Sequence, residues 1–254
     1  MTAKRILSIH AHPDDAEILA GGTLALLARG GHAVTIVSMT PGDCGSHEYS
    51  PDEISAIRRA EAAKAAALAG AGYACAEFRD LAIFNDDSGR RRVTELLRKM
   101  RPDIVLTSAP SDYLCDHEMT SLLVRDACFG APAPNYKTGG DSPALERIPH
   151  LYYMDPIGSH DRRGHYVMPD FAVDVSHVFE LKKEMLASHA SQRNWLMRQH
   201  GMDNYIAQME IWTRDCGMRF GLTAAEGFRH YRGHPYPDTP LLQELLGEKL
   251  IHRG

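Results

Sequence analysis

The stretch RILSIHAHPDDAE, Arg5 to Glu17, decides the fold. Arg5 to Ala11 is a short apolar run bounded by a proline, the pattern of a buried strand. His12-Pro13-Asp14-Asp15 is a polar turn, pinned by the fixed φ of Pro13. From Glu17 to Arg29, Ile18, Leu19, Leu24, Leu26 and Leu27 recur at helical spacing, and Gly30-Gly31 closes the helix. Gly21-Gly22 inside that helix costs stability, which predicts a close approach by a neighbour. A strand that passes through a polar turn into a helix is the first half of a βαβ unit.

The same alternation continues outward. Ala33 to Met39 reads as a strand, Asp52 to Leu68 as an alanine-rich helix and Ala74 to Phe78 as a strand. Ser88 to Met100 reads as a helix, Asp103 to Ser108 as a strand and Asp116 to Phe129 as a helix. Such alternation implies a Rossmann-like α/β fold, a mostly parallel sheet with helices on both faces and right-handed crossovers. Functional residues then gather outside the carboxyl ends of the strands. After Gly130 the pattern changes. Residues 131–149 and 156–169 read as long loops, with strands near Leu151 to Met154 and Phe171 to Val175. Ser176 is the expected cap of one helix from His177 to Met197, and a further helix spans Asp203 to Cys216. The tail with Pro235, Pro237 and Pro240 reads as irregular. The expectation is a single domain over 1–254, with a core of about 1–195 and a C-terminal helical extension of about 196–254.

Composition narrows the function. With 254 residues and 44% hydrophobic content the chain can bury one sizeable core. A net charge of -5 argues against a nucleic-acid partner, since such proteins carry a basic face. No apolar window is long enough for a membrane span, and Met1 to Arg5 lacks the apolar stretch of a signal peptide. The 5 cysteines are scattered without a CxxC pair, which fits a reducing compartment and a cytoplasmic location.

Two clusters carry chemistry. His12, Asp14, Asp15 and Glu17 crowd the end of the first strand. A helix cap explains one of these acids but not the whole group. Ser111 to Glu118, with Asp116 and His117, follows the fourth strand and so lies at the same edge of the sheet. Neutral imidazole and carboxylate are ordinary zinc ligands, and a catalytic zinc takes three of them and keeps one position open. His12, Asp15 and His117 meet that requirement, with one zinc ion per chain.

On these residues the chain resembles the PIG-L/LmbE-type zinc-dependent N-acetylglucosaminyl deacetylases. The family's HPDDxE motif stands as His12 to Glu17, and its second motif matches Asp116-His117. Lys182 to Gln192 is similar to the family's late helix with a His-x-Ser-Gln element, Arg58 and Glu61 fit its Arg-x-x-Glu helix, and Glu226 to Arg229 extends the likeness. The resemblance implies a Rossmann-like fold and removal of an acetyl group from an N-acetylglucosamine-type small molecule; a homo-oligomer is the assembly to test for. It implies Asp14 as general base and Asp116 as an orienting group. The chain departs from the pattern at Leu114, where many members carry a histidine that assists the substrate carbonyl. That leaves the second oxyanion donor to be found among Arg58, His189, His160 and His165. Three other readings stand beside this one: a weakened or inactive zinc-binding member, an amidase acting on a non-sugar amide, and a nucleotide-binding α/β protein. The last lacks both GxGxxG and a P-loop. A purely structural zinc site would be closed and rich in cysteine, unlike this one.

Overall fold

The computed structural model describes residues 2–200 and 204–252, apart from the side chains of 199 and 200. The first strand β1 (Arg5–His10) runs into the helix α1 (Asp15–Arg29), and β2 (Ala33–Ser38) follows. Next come α2 (Pro51–Leu68), β3 (Gly72–Cys75), α3 (Asp87–Met100), β4 (Ile104–Thr107) and α4 (Cys115–Gly130). These match the sequence expectation to within a few residues at each end.

The sheet has eight strands in the order β3-β2-β1-β4-β5-β7-β6-β8, where β5 is His150–Met154, β6 Phe171–Asp174, β7 Ala225–His230 and β8 Ile251–His252. Strands β3 to β5 in that order are parallel, while β7 pairs antiparallel with both β5 and β6. Alternation along the strands sends Ile6, Val34, Ile36, Ile104 and Leu106 to one face, against α1. Leu7, Ile9, Val37 and Val105 go to the other, with Val93 and Leu97 of α3 and Leu123 and Val124 of α4. Both faces are covered, as a parallel sheet requires.

The close approach expected at the glycine pair occurs at Gly22, where a Cβ would meet Val175 at 2.7 Å. Its amide donates to Glu226 at 2.8 Å, and Glu226 is paired with the buried Lys182 at 2.6 Å.

Two expectations about the C-terminal part need correction. The helix expected from His177 to Met197 is broken: a 3-10 turn at Ser176–Val178 precedes α5 (Phe179–Ala187), and α6 (Ala190–His200) starts anew. Ser176 caps nothing with its side chain, and its hydroxyl donates to the Ala224 carbonyl. The break has a cause in α2, because Glu61 receives both the amide (2.9 Å) and the hydroxyl (2.6 Å) of Ser191 and so opens a new helix there. The final segment is also not only helical and irregular. After α7 (Tyr205–Arg219) it supplies β7 to the interior of the sheet, then α8 (Leu241–Leu246) and β8. Strand β7 reads as polar because Glu226 and Arg229 lie in it, yet both are satisfied, by Lys182 and by Asp155 at 2.9 Å.

Candidate metal centre and catalytic cavity

Strands β1 and β4 are neighbours, so the turns that follow them meet. His12 leaves the end of β1, Asp15 opens α1, and His117 sits in the first turn of α4. Asp15 is the hinge of the group. Its Oδ2 accepts the His12 amide at 2.9 Å and lies 3.6 Å from His12 Nδ1, while its Oδ1 lies 3.4 Å from His117 Nε2. One ligand atom from each of the three residues falls within 4.8 Å of the others. Tetrahedral zinc with bonds of about 2.0–2.2 Å sets its ligand atoms roughly 3.3–3.6 Å apart, so the donor set fits such an ion in both chemistry and spacing.

Carboxylates fix both rings. A carboxylate only accepts, so in the neutral rings His117 Nδ1, facing Asp112, and His12 Nε2, facing Asp116, carry the proton, and the nitrogens turned toward Asp15 are left bare for a cation. Asp112 Oδ1 lies 3.1 Å from His117 Nδ1, which turns Nε2 toward Asp15. Asp116 Oδ2 lies 3.1 Å from His12 Nε2 and also accepts the Leu81 amide at 2.7 Å. Burial alone would lower the His12 pKa, but Asp116 and Asp15 outweigh it and raise it to about 9. His117 is likewise pulled down by burial and driven well above its ordinary value by Asp15 and Asp112. Burial would raise Asp15, yet the two imidazoles hold it well below the usual carboxylate range. The centre therefore attracts positive charge strongly, the property a cation site needs.

Asp14 points elsewhere. Its backbone is in the left-handed region, φ 112°, a conformation costly for a residue with a Cβ. Its side chain makes no cap for α1. Arg58, buried on α2, donates from Nη2 to the Pro13 carbonyl at 2.8 Å and lies 3.8 Å from Asp14 Oδ1. The loop carrying Gly42 hugs that guanidinium: a Cβ at Gly42 would fall 2.4 Å from Nη1, and its φ is +78°. Burial pushes the Asp14 carboxyl above its ordinary range, and Arg58 opposes this only in part.

The centre opens into a cavity of about 610 Å³. His12, Asp14, Asp15, Arg58, Leu114 and His117 form its floor, and Trp195, Leu196, Tyr205, Gln208 and Trp212 of α6 and α7 form the facing wall. The remaining sequence candidates take other places. His189 is fully buried, 3.4 Å from Glu17, and does not line the cavity. His160 is exposed and hydrogen-bonds the Gly158 carbonyl at 2.5 Å, and His165 is exposed beside Asp161. Asp112, Tyr205, Trp195 and Trp212 escaped the sequence reading. Asp112 carried a signal, an acid five residues before His117 in the same loop. The wall residues carried none, because a helical aromatic reads as core.

The comparisons with known proteins agree with this geometry. Residues 7–128 match the family model of PIG-L, GlcNAc-PI de-N-acetylase. A diacetylchitobiose deacetylase of Thermococcus kodakarensis is 30% identical over 195 residues, 74% of this chain and 70% of the relative. A 4-oxalmesaconate hydratase of Pseudomonas putida is 27% identical over 199 residues, 75% of each chain. Among solved structures, the N,N'-diacetylchitobiose deacetylase of Pyrococcus horikoshii superposes with a TM-score of 0.75 at 27% identity, covering 94% of this chain and 89% of the other. The matched stretch holds all three members of the candidate metal group, and the chain belongs to the PIG-L/LmbE GlcNAc-PI de-N-acetylase family.

Proposed function

We propose that this protein is a zinc-dependent N-deacetylase acting on an N-acetylglucosamine-type sugar or glycoconjugate. The observation that carries the reading is the buried Asp14 carboxylate, beside a three-ligand cation site, at the floor of one cavity. Zinc held by His12, Asp15 and His117 would act as a Lewis acid that lowers the pKa of water and polarises a carbonyl. Asp14 takes a proton from the attacking water and returns it to the departing amine, so the acetamide C–N bond breaks as a C–O bond forms. Burial favours the protonated form of Asp14, which suits a group that must both accept and give a proton near neutral pH. Arg58 is the nearest permanent cation and stands as candidate oxyanion donor, while Asp116 and Asp112 keep the two imidazoles in place. His189 does not reach the cavity and pairs with Glu17, so it stands outside the reacting groups.

The family contains a hydratase as well, and a hydratase releases no amine. The cavity lining favours a neutral substrate over a multiply charged acid. Among the described residues Arg58 is its sole lysine or arginine, while Asp14, Asp15 and Asp80 bring negative charge. The test is a panel of N-acetyl sugars and glycosides assayed for amine and acetate release, set beside unsaturated carboxylic acids assayed for loss of the double bond. Hydration without any deacetylation would overturn the proposal.

A further inference from the structure

We infer that Tyr205 is the positioning residue for Asp14: its phenol fixes the base so that one carboxylate oxygen stays aimed at the attacking water. The inference rests on Asp14 being the general base, as proposed above.

Tyr205 opens α7, on the far side of the cavity and outside the stretch that matches the family model. Its hydroxyl donates to Asp14 Oδ2 at 2.5 Å, across 191 residues of sequence. Among the described residues this is the direct hydrogen bond that the Asp14 carboxylate receives. Arg58 approaches only to 3.8 Å of Oδ1 and spends its Nη2 on the Pro13 carbonyl. The helix that Asp14 precedes does not hold the carboxylate either, since there is no side-chain cap. Without Tyr205, therefore, the carboxylate torsion is set by nothing but a guanidinium beyond hydrogen-bond range. With Tyr205, Oδ2 is anchored, and Oδ1, 3.8 Å from Arg58, accepts no hydrogen bond among the described residues.

The phenol is suited to this task. A phenol facing a carboxylate can only donate, and burial together with Asp14 itself drives the Tyr205 pKa well above its ordinary value, so the proton stays on the tyrosine. Tyr205 thus exchanges no proton during turnover. The proton removed from water passes to Asp14, and the hydroxyl keeps its own. Leu114, on the same floor, offers no polar side-chain atom that could hold Asp14 instead.

The experiment is a double-mutant cycle with Tyr205→Phe and Asp14→Asn on an N-acetyl sugar that the enzyme accepts. Turnover is expressed per bound metal, with melting midpoints recorded alongside, so that partial unfolding does not count as lost catalysis. A hydrogen bond to a charged group is worth about 1.5–3 kcal/mol, so Tyr205→Phe is expected to lower kcat about 10- to 100-fold, with KM and metal content unchanged. In the Asp14→Asn background the same change is expected to do nothing further, because both act through one carboxylate. A wild-type kcat in Tyr205→Phe overturns the inference, as does a raised KM at constant kcat, which marks a substrate contact. An equal loss in both backgrounds overturns it too. If Asp14→Asn alone keeps full turnover, the base assignment falls and this inference falls with it. If Asp14→Asn is inactive while Tyr205→Phe keeps the wild-type kcat, the base stands and only the role of Tyr205 is lost.

Discussion

The floor and the wall of the cavity are built on different principles. The floor comes from β1, α1, α2 and α4, and its polar groups are buried and fixed by partners: Asp15 is 4% exposed, His117 2% and Arg58 3%. The wall comes from α6 and α7, where Trp195, Tyr205 and Trp212 are half-buried aromatics. The floor holds the candidate cation ligands and the proposed base. The wall holds surfaces, with one hydroxyl that reaches across. On the proposed reading, the contrast assigns the chemistry to the floor and the holding of the substrate to the wall.

The comparison is tested most severely at the ligands. His12→Ala and His117→Ala are each expected to lose the metal and all turnover, on every substrate alike. Metal analysis of the purified variants checks this, and stoichiometric metal in both would refute the ligand set. Chelation of the wild type is expected to lower its melting midpoint, because an ion bound only to the folded state stabilises it. A melting curve that chelation leaves unchanged, in protein shown to have carried metal, would argue that the floor is rigid without it.

Next in size is Asp14→Asn. It keeps an isosteric group and leaves all three ligands intact, so metal content is expected to hold while kcat falls about 10²–10⁴-fold. Activity within a few-fold of wild type would remove the base from the floor and blur the division drawn above.

The two halves also differ in how far they can be read from sequence. The floor is legible because its residues are contiguous and sit where strand gives way to helix: His12 to Glu17 states its own position, and His117 follows the next strand over. The parallel part of the sheet is legible because its strands are short, mostly apolar runs alternating with helical segments. Strand β7 is not, because Glu226 and Arg229 look like surface residues until Lys182 and Asp155 are seen opposite them. The break between α5 and α6 is not legible either, because it is imposed by Glu61 more than a hundred residues away. Tyr205 is hidden on the same grounds: a tyrosine opening a helix says nothing about a carboxylate 191 residues earlier.

A smaller effect is expected at the wall. Trp195→Ala and Trp212→Ala remove aromatic surface from the cavity without touching the ligands or Asp14. An aromatic contact is worth about 0.5–1.5 kcal/mol beyond simple burial, so KM is expected to rise about 2- to 12-fold with kcat little changed. The rank order across a substrate panel should shift as well, since substrates differ in the face they offer an indole. A uniform fall in kcat with constant KM would mean that the wall takes part in the chemistry, and the floor-and-wall distinction would need redrawing.

The smallest effect is expected in the loop 156–169, whose histidines the sequence offers as donors to replace the residue missing at Leu114. His160 turns its Nδ1 back to the Gly158 carbonyl at 2.5 Å, and its ring meets Tyr166 edge-on. His165 lies 3.6 Å from Asp161 of the same loop, and neither histidine lines the cavity. Their partners are local, so the loop uses them to hold its own shape. A donor to the developing oxyanion is worth about 10²–10³-fold in turnover, a loss too large to miss. His160→Ala and His165→Ala are expected to stay within about threefold of wild-type kcat, the scale of a surface change of under 1 kcal/mol. Arg58, already at the floor and 3.8 Å from Asp14, would then be left as the donor. A loss of a hundredfold or more in either variant, with metal retained, would show that the loop folds over the bound substrate and that the working site has a third side.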